Sequence, residues 1–168
     1  LAANQGEVRA QNNLGLMFLE GRGIPVDYTE AMRFFLSAAD QGETFAQNNL
    51  GFMYENGLGV PIDTDEAVRW YRRAIEQAGG QKLAYNNLGM MYWKGDGVPK
   101  DQVKAFDYYA KACRGRESDN KYINAQACWN LAVAYSDGLG GRTKDLVRAM
   151  EFADKACANG FESAYCDK

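Results

Sequence analysis

The 168-residue chain has the size of one ordinary domain, and its 46% hydrophobic and 24% charged residues exclude disorder. A net charge of −3 leaves no basic surplus for nucleic acid. The absence of histidine removes Ser-His and Cys-His nucleophile pairs, histidine bases and most zinc sites.

From the N-terminus, "AANQG" at Ala2–Gly6 aligns with "AADQG" at Ala38–Gly42, so the chain is expected to open in the tail of an earlier helix. Ala10, Leu14, Met17 and Phe18 then fall on one helical face, which predicts a first helix A. Gly21 and Gly23 mark a reversal. Asp27 with Glu30 has capping-box spacing at the start of a helix B, whose stripe is Ala31, Phe34, Phe35 and Ala38. The same phrase returns. Ala46, Leu50, Met53 and Tyr54 precede Gly57/Gly59, then Asp63 with Glu66, then Ala67, Trp70, Tyr71 and Ala74. Ala84, Leu88, Met91 and Tyr92 precede Gly95/Gly97, Asp101, then Ala105, Tyr108, Tyr109 and Ala112.

A fourth copy runs from Leu131 through Gly138/Gly140 and Asp145, with an extra residue before that aspartate and Ala153 where Tyr71 would stand. Asp101 and Asp145 lack the glutamate of the capping box. Gly15, Gly51 and Gly89 sit inside helix A, where glycine costs roughly 1 kcal/mol against alanine; close approach of the partner helix is the expected return, and Ala132 takes the place in the fourth copy. Leu14, Leu50, Leu88 and Leu131 recur at steps of 36, 38 and 43, the signature of stacked units at approximately 7–42, 43–80, 81–123 and 124–160, with partial units at both ends. "FESAYCDK" is expected to begin a fifth helix A. No run reaches the roughly 18 apolar residues of a membrane span, and because the first residue is Leu1, any leader or lipid anchor is expected outside this stretch.

Ala46, Leu50, Gly51, Tyr54, Gly57, Gly59, Val60, Asp63, Ala67, Trp70, Tyr71 and Ala74 make a pattern that resembles the Sel1-like repeat, a relative of the tetratricopeptide repeat. The resemblance covers almost the whole chain. It implies an all-α, right-handed superhelical solenoid of antiparallel helix pairs, about four repeats long, acting as an adaptor or binding surface.

Four cysteines admit three pairings. Cys113 and Cys157 share one repeat position in the last turn of helix B, while Cys128 and Cys166 lie early in the helix A that follows. Stacked repeats would set those helix ends side by side, so Cys113–Cys128 and Cys157–Cys166 are the expected disulfides, each worth about 2–4 kcal/mol. This is similar to the cysteine-rich Sel1-like proteins, although the two earlier junctions here lack cysteine. Four buried free thiols are the alternative; no histidine and no C-x-x-C speak against a metal site. Disulfides imply an oxidising compartment, so a periplasmic or secreted location is expected. The first pair encloses Arg114–Asn124, read as a protruding loop.

A second stripe of helix A lies off the core face: Asn12, Leu16, Leu19 and Glu20; Phe45, Asn48, Phe52 and Glu55; Asn86, Met90, Trp93 and Lys94; Trp129, Val133 and Asp137. By the tetratricopeptide resemblance it lines the concave face. Asn12, Leu16, Phe45, Asn48, Phe52, Glu55, Asn86, Met90, Trp93 and Trp129 are accordingly the expected protein-binding residues, with the amides bonding a partner's backbone and the large apolar groups as anchors. For Phe52, Met90, Trp93 and Trp129 the competing reading is packing against neighbouring helices.

Three enzyme readings carry less. "SDNK" at Ser118–Lys121 overlaps S-x-x-K and S-D-N within one polar insertion, with no K-T-G following. "GLGG" at Gly138–Gly141 lacks the Lys-Ser/Thr of a phosphate loop. Asp63, Asp65 and Glu66 are explained by helix capping rather than glycoside hydrolysis. No catalytic residue, cofactor or metal is expected. The expected function is extracytoplasmic protein binding, as an adaptor for envelope or secretion components or as an inhibitor (immunity) protein against a secreted effector such as a phospholipase. A β-lactam-binding repeat protein is the alternative.

Overall fold

Each apolar period becomes a pair of helices. The computed structural model describes residues 2–76, 82–114, 121–163 and 165–166. Among them, eight helices run in order: α1 (Ala2–Glu20), α2 (Tyr28–Asp40), α3 (Thr44–Asn56), α4 (Thr64–Glu76), α5 (Lys82–Lys94), α6 (Gln102–Cys113), α7 (Lys121–Asp137) and α8 (Leu146–Ala158), with no strand. The chain divides into two compact units, 1–81 with α1–α4 and 82–168 with α5–α8. Each unit is two stacked helix pairs of an all-α solenoid.

In the first unit α3 packs between α2 and α4, and its Ala46, Leu50 and Met53 are fully buried. The homologous face of α1 is not: Ala10 is exposed, Met17 is 37% exposed, and Leu14 is half-buried. The physical reason is that α1 packs chiefly on α2, without the second flanking helix that α3 has. Val8 takes its place in the core beside Phe35 and Ala38. Ala2–Gly6, expected as the tail of a preceding helix, instead forms the first turns of α1.

The helical glycines answer for themselves. A Cβ on Gly51 would stand 2.6 Å from the Tyr71 ring, one on Gly15 would meet Phe35 at 2.6 Å, and one on Gly89 would meet Tyr109 at 2.5 Å. Helix B therefore presses an aromatic ring against the backbone of helix A, a contact far too close for alanine. In the fourth pair both partners change together: Ala132 replaces the glycine and Ala153 the ring, and both are buried.

At the reversal, Gly57 and Gly59 have φ of 67° and 76°, a left-handed backbone that side chains disfavour. Gly59 must be glycine twice over, because a Cβ there would come within 2.8 Å of Tyr28 at the start of α2. The turn of one repeat thus rests on the helix B of the repeat before it.

Helix B restarts at an aspartate in every repeat. The carboxylates of Asp27, Asp63, Asp101 and Asp145 accept from the backbone N–H of Glu30, Glu66, Lys104 and Arg148 at 2.9–3.0 Å. The expected reciprocal half of the capping box does not form. The N–H of these aspartates donates instead to the carbonyls of Phe18, Tyr54, Tyr92 and Tyr135 in the last turn of helix A. Glu30 and Glu66 turn outward to Arg33 and Arg69. The cap N–H already has a partner, which is why Asp101 and Asp145 start their helices equally well without a glutamate.

The second unit carries two disulfides, Cys113–Cys128 and Cys157–Cys166. The first ties the last turn of α6 to α7, which it packs against. Part of the expected loop is helix: Lys121–Asn124 form the first turn of α7, and 115–120 lie outside the described residues. Nor do the described residues after α8 begin a fifth helix. Phe161–Ser163 are irregular, and Tyr165 and Cys166 form a turn that the second disulfide draws back to α8.

Candidate functional site

Residues three and four apart share a helix face, and this spacing gathers Gln126, Trp129, Asn130 and Val133 along one side of α7. Met90 and Trp93 do the same on α5. Between these faces, within the second unit, lies a cleft of about 360 Å³. Phe106 and Tyr109 of α6 form its floor, and Leu139 and Phe161 close it from the connecting segments. The walls are aromatic and mutually braced. Trp93 tilts against Phe106 at 5.6 Å between centroids, Phe106 meets Tyr109 at 6.0 Å, and Phe161 stacks on Trp129 at 4.8 Å.

Among the described residues, no side chain lining the cleft carries a formal charge at neutral pH. Burial pushes the Tyr109 phenol well above its ordinary range, so it remains a neutral group. Two amides, Gln126 and Asn130, also line it. Gln126 Nε2 donates to Asn130 Oδ1 at 3.1 Å, and Asn130 Nδ2 is shut from solvent with no partner. On its other face Trp129 borders an apolar groove of about 310 Å³ with Leu146, Met150 and Tyr165.

The structure thus brings together three of the expected residues, Met90, Trp93 and Trp129, all half-buried on this cleft. The asparagines are placed otherwise. Asn12 and Asn48 are only 7% and 4% exposed. Asn12 Oδ1 accepts from Asn49 Nδ2 at 3.1 Å, a rung between α1 and α3. This corrects the expectation that they stand on an open wall: a buried amide is accommodated when another amide bonds it. Asn86 is half-buried, with its Oδ1 sealed and unpartnered. Glu55 is occupied too, accepting from the Tyr71 hydroxyl at 2.7 Å and fixing the ring that covers Gly51. Leu16 packs partly against the first unit's core. Phe45 and Phe52 are open, at 52% and 41% exposed.

Phe106, Leu139 and Phe161 belong to the cleft but not to the helix A stripe. Their membership depends on how helix B and the connecting segments fold back, which helical spacing does not express. Ser118 of the β-lactam motif lies outside the described residues. Among the described residues no group of His, Cys, Asp and Glu is placed to hold a metal ion, and no helix is long and apolar enough to cross a membrane.

The Sel1 repeat pattern matches residues 8–43, 44–78, 82–116 and 125–161. A Sel1 repeat protein from Oxalobacter formigenes superposes with a TM-score of 0.79 at 34% identity, over 95% of this chain and 61% of its own. The c5321 protein, a protective antigen present in uropathogenic Escherichia coli strains and displaying an SLR fold, does so at 0.61 and 32%, over 95% of this chain and 40% of its own. The chain therefore spans less than two thirds of the length of either. No protein of curated function matches it.

Proposed function

Given that the chain belongs to the Sel1 repeat family and has the fold of its protein–protein interaction modules, we propose that it binds a protein partner through the cleft between α5 and α7. The observation that carries this reading is an uncharged, aromatic-walled cleft presenting Trp93 and Trp129. Half-buried tryptophans in a pocket that water leaves readily are the usual energetic centres of an interface. The uncharged lining suits an apolar side chain of the partner, with its backbone beside the amides. Nothing among the described residues favours the β-lactam alternative, and its Ser118 lies outside them.

The test is affinity for a partner captured from envelope or secreted fractions. Trp93→Ala and Trp129→Ala should each weaken binding by about 30-fold, the scale of an interface hot spot. Phe45→Ala, on the exposed surface of the first unit, should have little effect. Full affinity in both tryptophan variants, with the fold retained, would overturn the assignment.

Location and biological use belong to the same proposal. The pairing of all four cysteines supports an extracytoplasmic setting; four titratable thiols in protein taken directly from cells would contradict it. An inhibitor role predicts that the captured partner is a toxic enzyme, such as a phospholipase, and that it is silenced in the complex. An adaptor role predicts a partner whose activity is unchanged.

A further inference from the structure

The two disulfides differ in access. Cys113 and Cys128 are 1% and 0% exposed, sealed between α6 and α7, whereas Cys157 and Cys166 are both half-buried. Thiol–disulfide exchange needs an attacking thiolate to reach a sulfur, so the pairs are not equally open to a reductant.

They also hold different things. Cys157–Cys166 closes the segment that carries Phe161 and Tyr165, the two rings that flank Trp129 at 4.8 and 6.3 Å. Phe161 walls the cleft and Tyr165 the neighbouring groove. Near its base the segment has a backbone bond from Phe161 N–H to the Ala156 carbonyl. Toward its far end the Tyr165 hydroxyl donates to Asp154 at 3.0 Å on the exposed surface, a position where a hydrogen bond holds little against water. Among the described residues, ring packing on Trp129 and the disulfide are the other ties at that end.

We infer that Cys157–Cys166 is a redox latch on the cleft: oxidised, it clamps the rings of Phe161 and Tyr165 against Trp129, and reduced, it lets those rings move away while Cys113–Cys128 keeps the repeats joined. The reductant is an external dithiol, such as a thioredoxin-like protein or dithiothreitol. One of its thiolates attacks a sulfur of the pair, breaking the Cys157–Cys166 bond and forming a mixed disulfide. Its second sulfur then displaces the protein. The reductant leaves as a disulfide, and two electrons and two protons remain on Cys157 and Cys166 as thiols. That the latch governs partner binding rests on the function proposed above; the latch itself does not.

The experiment titrates the intact chain with dithiothreitol, alkylates, and locates the modified cysteines by mass spectrometry while the three tryptophan indole N–H resonances are followed by NMR. Cys157 and Cys166 should react about tenfold or more faster than Cys113 and Cys128, the effect expected of access. The Trp129 resonance should shift with them while that of Trp70, in the first unit, stays in place. Cys157→Ser/Cys166→Ser should reproduce the shifted Trp129 signal without reductant. Equal reactivity of the two pairs, or an unmoved Trp129 with Cys157 and Cys166 both alkylated, would overturn the latch. N-acetyl-leucinamide, an uncharged apolar probe, should bind the oxidised chain about tenfold more tightly than the double variant, roughly the value of one aromatic contact. If it binds neither form while Trp129 still shifts, the apolar-anchor reading of the cleft fails and the latch stands.

Discussion

The same two amide positions are used differently in the two units. In the first, Asn49 of α3 reaches Asn12 of α1 and closes a rung between successive A helices. In the second, the equivalent residues are Asn130 of α7 and Asn86 of α5, and they do not meet. Asn130 Nδ2 and Asn86 Oδ1 are each sealed without a partner, and Gln126 takes the other end of Asn130. Beside that open rung Trp129 stands where Asn48 stands in α3, and the aromatic cleft lies between the helices. Both disulfides are in this unit as well. The first unit links its A helices with a hydrogen bond between side-chain amides; the second lacks that bond where the cleft forms, and its elements are joined by disulfides. Repetition supplies the scaffold, and the departure from repetition supplies the site.

The largest effect that would sharpen this contrast concerns the ring on the glycine. Tyr71→Ala should cost about 3–5 kcal/mol, as for other buried aromatics. Gly51→Ala should cost about 1–3 kcal/mol from overpacking, because the Tyr71 ring 2.6 Å from the new Cβ is held by Glu55 and cannot swing away. In the Tyr71→Ala background the sign should reverse, with Gly51→Ala stabilising by up to about 1 kcal/mol through helix propensity. That double variant copies Ala132 and Ala153 of the fourth repeat. Denaturant unfolding of the four proteins measures the coupling, and simple additivity would mean that the paired change in the fourth repeat is not a packing compensation.

A smaller effect tests the rung directly. Asn49→Leu strands the buried Asn12 carbonyl and should cost about 1–3 kcal/mol. Asn130→Leu removes a donor that lacks a partner and only an exposed bond from Gln126, which water can replace, so it should be close to neutral or stabilising. Equal losses at the two positions would show that the second rung is closed in solution, and the contrast between the units would fall.

How far the residues alone revealed this follows from what periodicity encodes. Leu50, Met53, Tyr71 and Ala74 recur at helical spacing and are all buried, because a 3.6-residue period reports the face a helix turns to its neighbour. The cysteine pairs were legible for the same reason, since a shared repeat position becomes a shared place in the stack. Asn12 and Asn48 are buried because this stretch of the second stripe faces neighbouring elements rather than an open groove, and the Asn12 amide is bonded by Asn49 of the next helix A. Phe161 in the cleft wall was beyond reach altogether. Its place depends on a disulfide bending an irregular segment back on Trp129, and no local pattern in "FESAYC" distinguishes that from the start of another helix.

The smallest effect concerns what the two units share, the aspartate that restarts helix B. The Lys104 backbone N–H, reinforced by its ammonium 3.2 Å from the carboxylate, holds Asp101 below the usual carboxylate range. A carboxyl with a depressed folded pKa binds fewer protons folded than unfolded near its midpoint, so its contribution to stability is full above the unfolded value and fades as pH falls through the folded one. Asparagine caps a helix comparably but cannot be protonated. The stability of the native chain relative to Asp101→Asn should therefore be flat from pH 7 to about 5 and decline below about 4, read as the difference in denaturation midpoints across that range. A difference that stayed constant down to pH 2 would mean that Asp101 titrates alike folded and unfolded. The carboxylate's charge would then add nothing to the cap, and the aspartate common to both units would serve through its geometry and its N–H bond to the last turn of helix A.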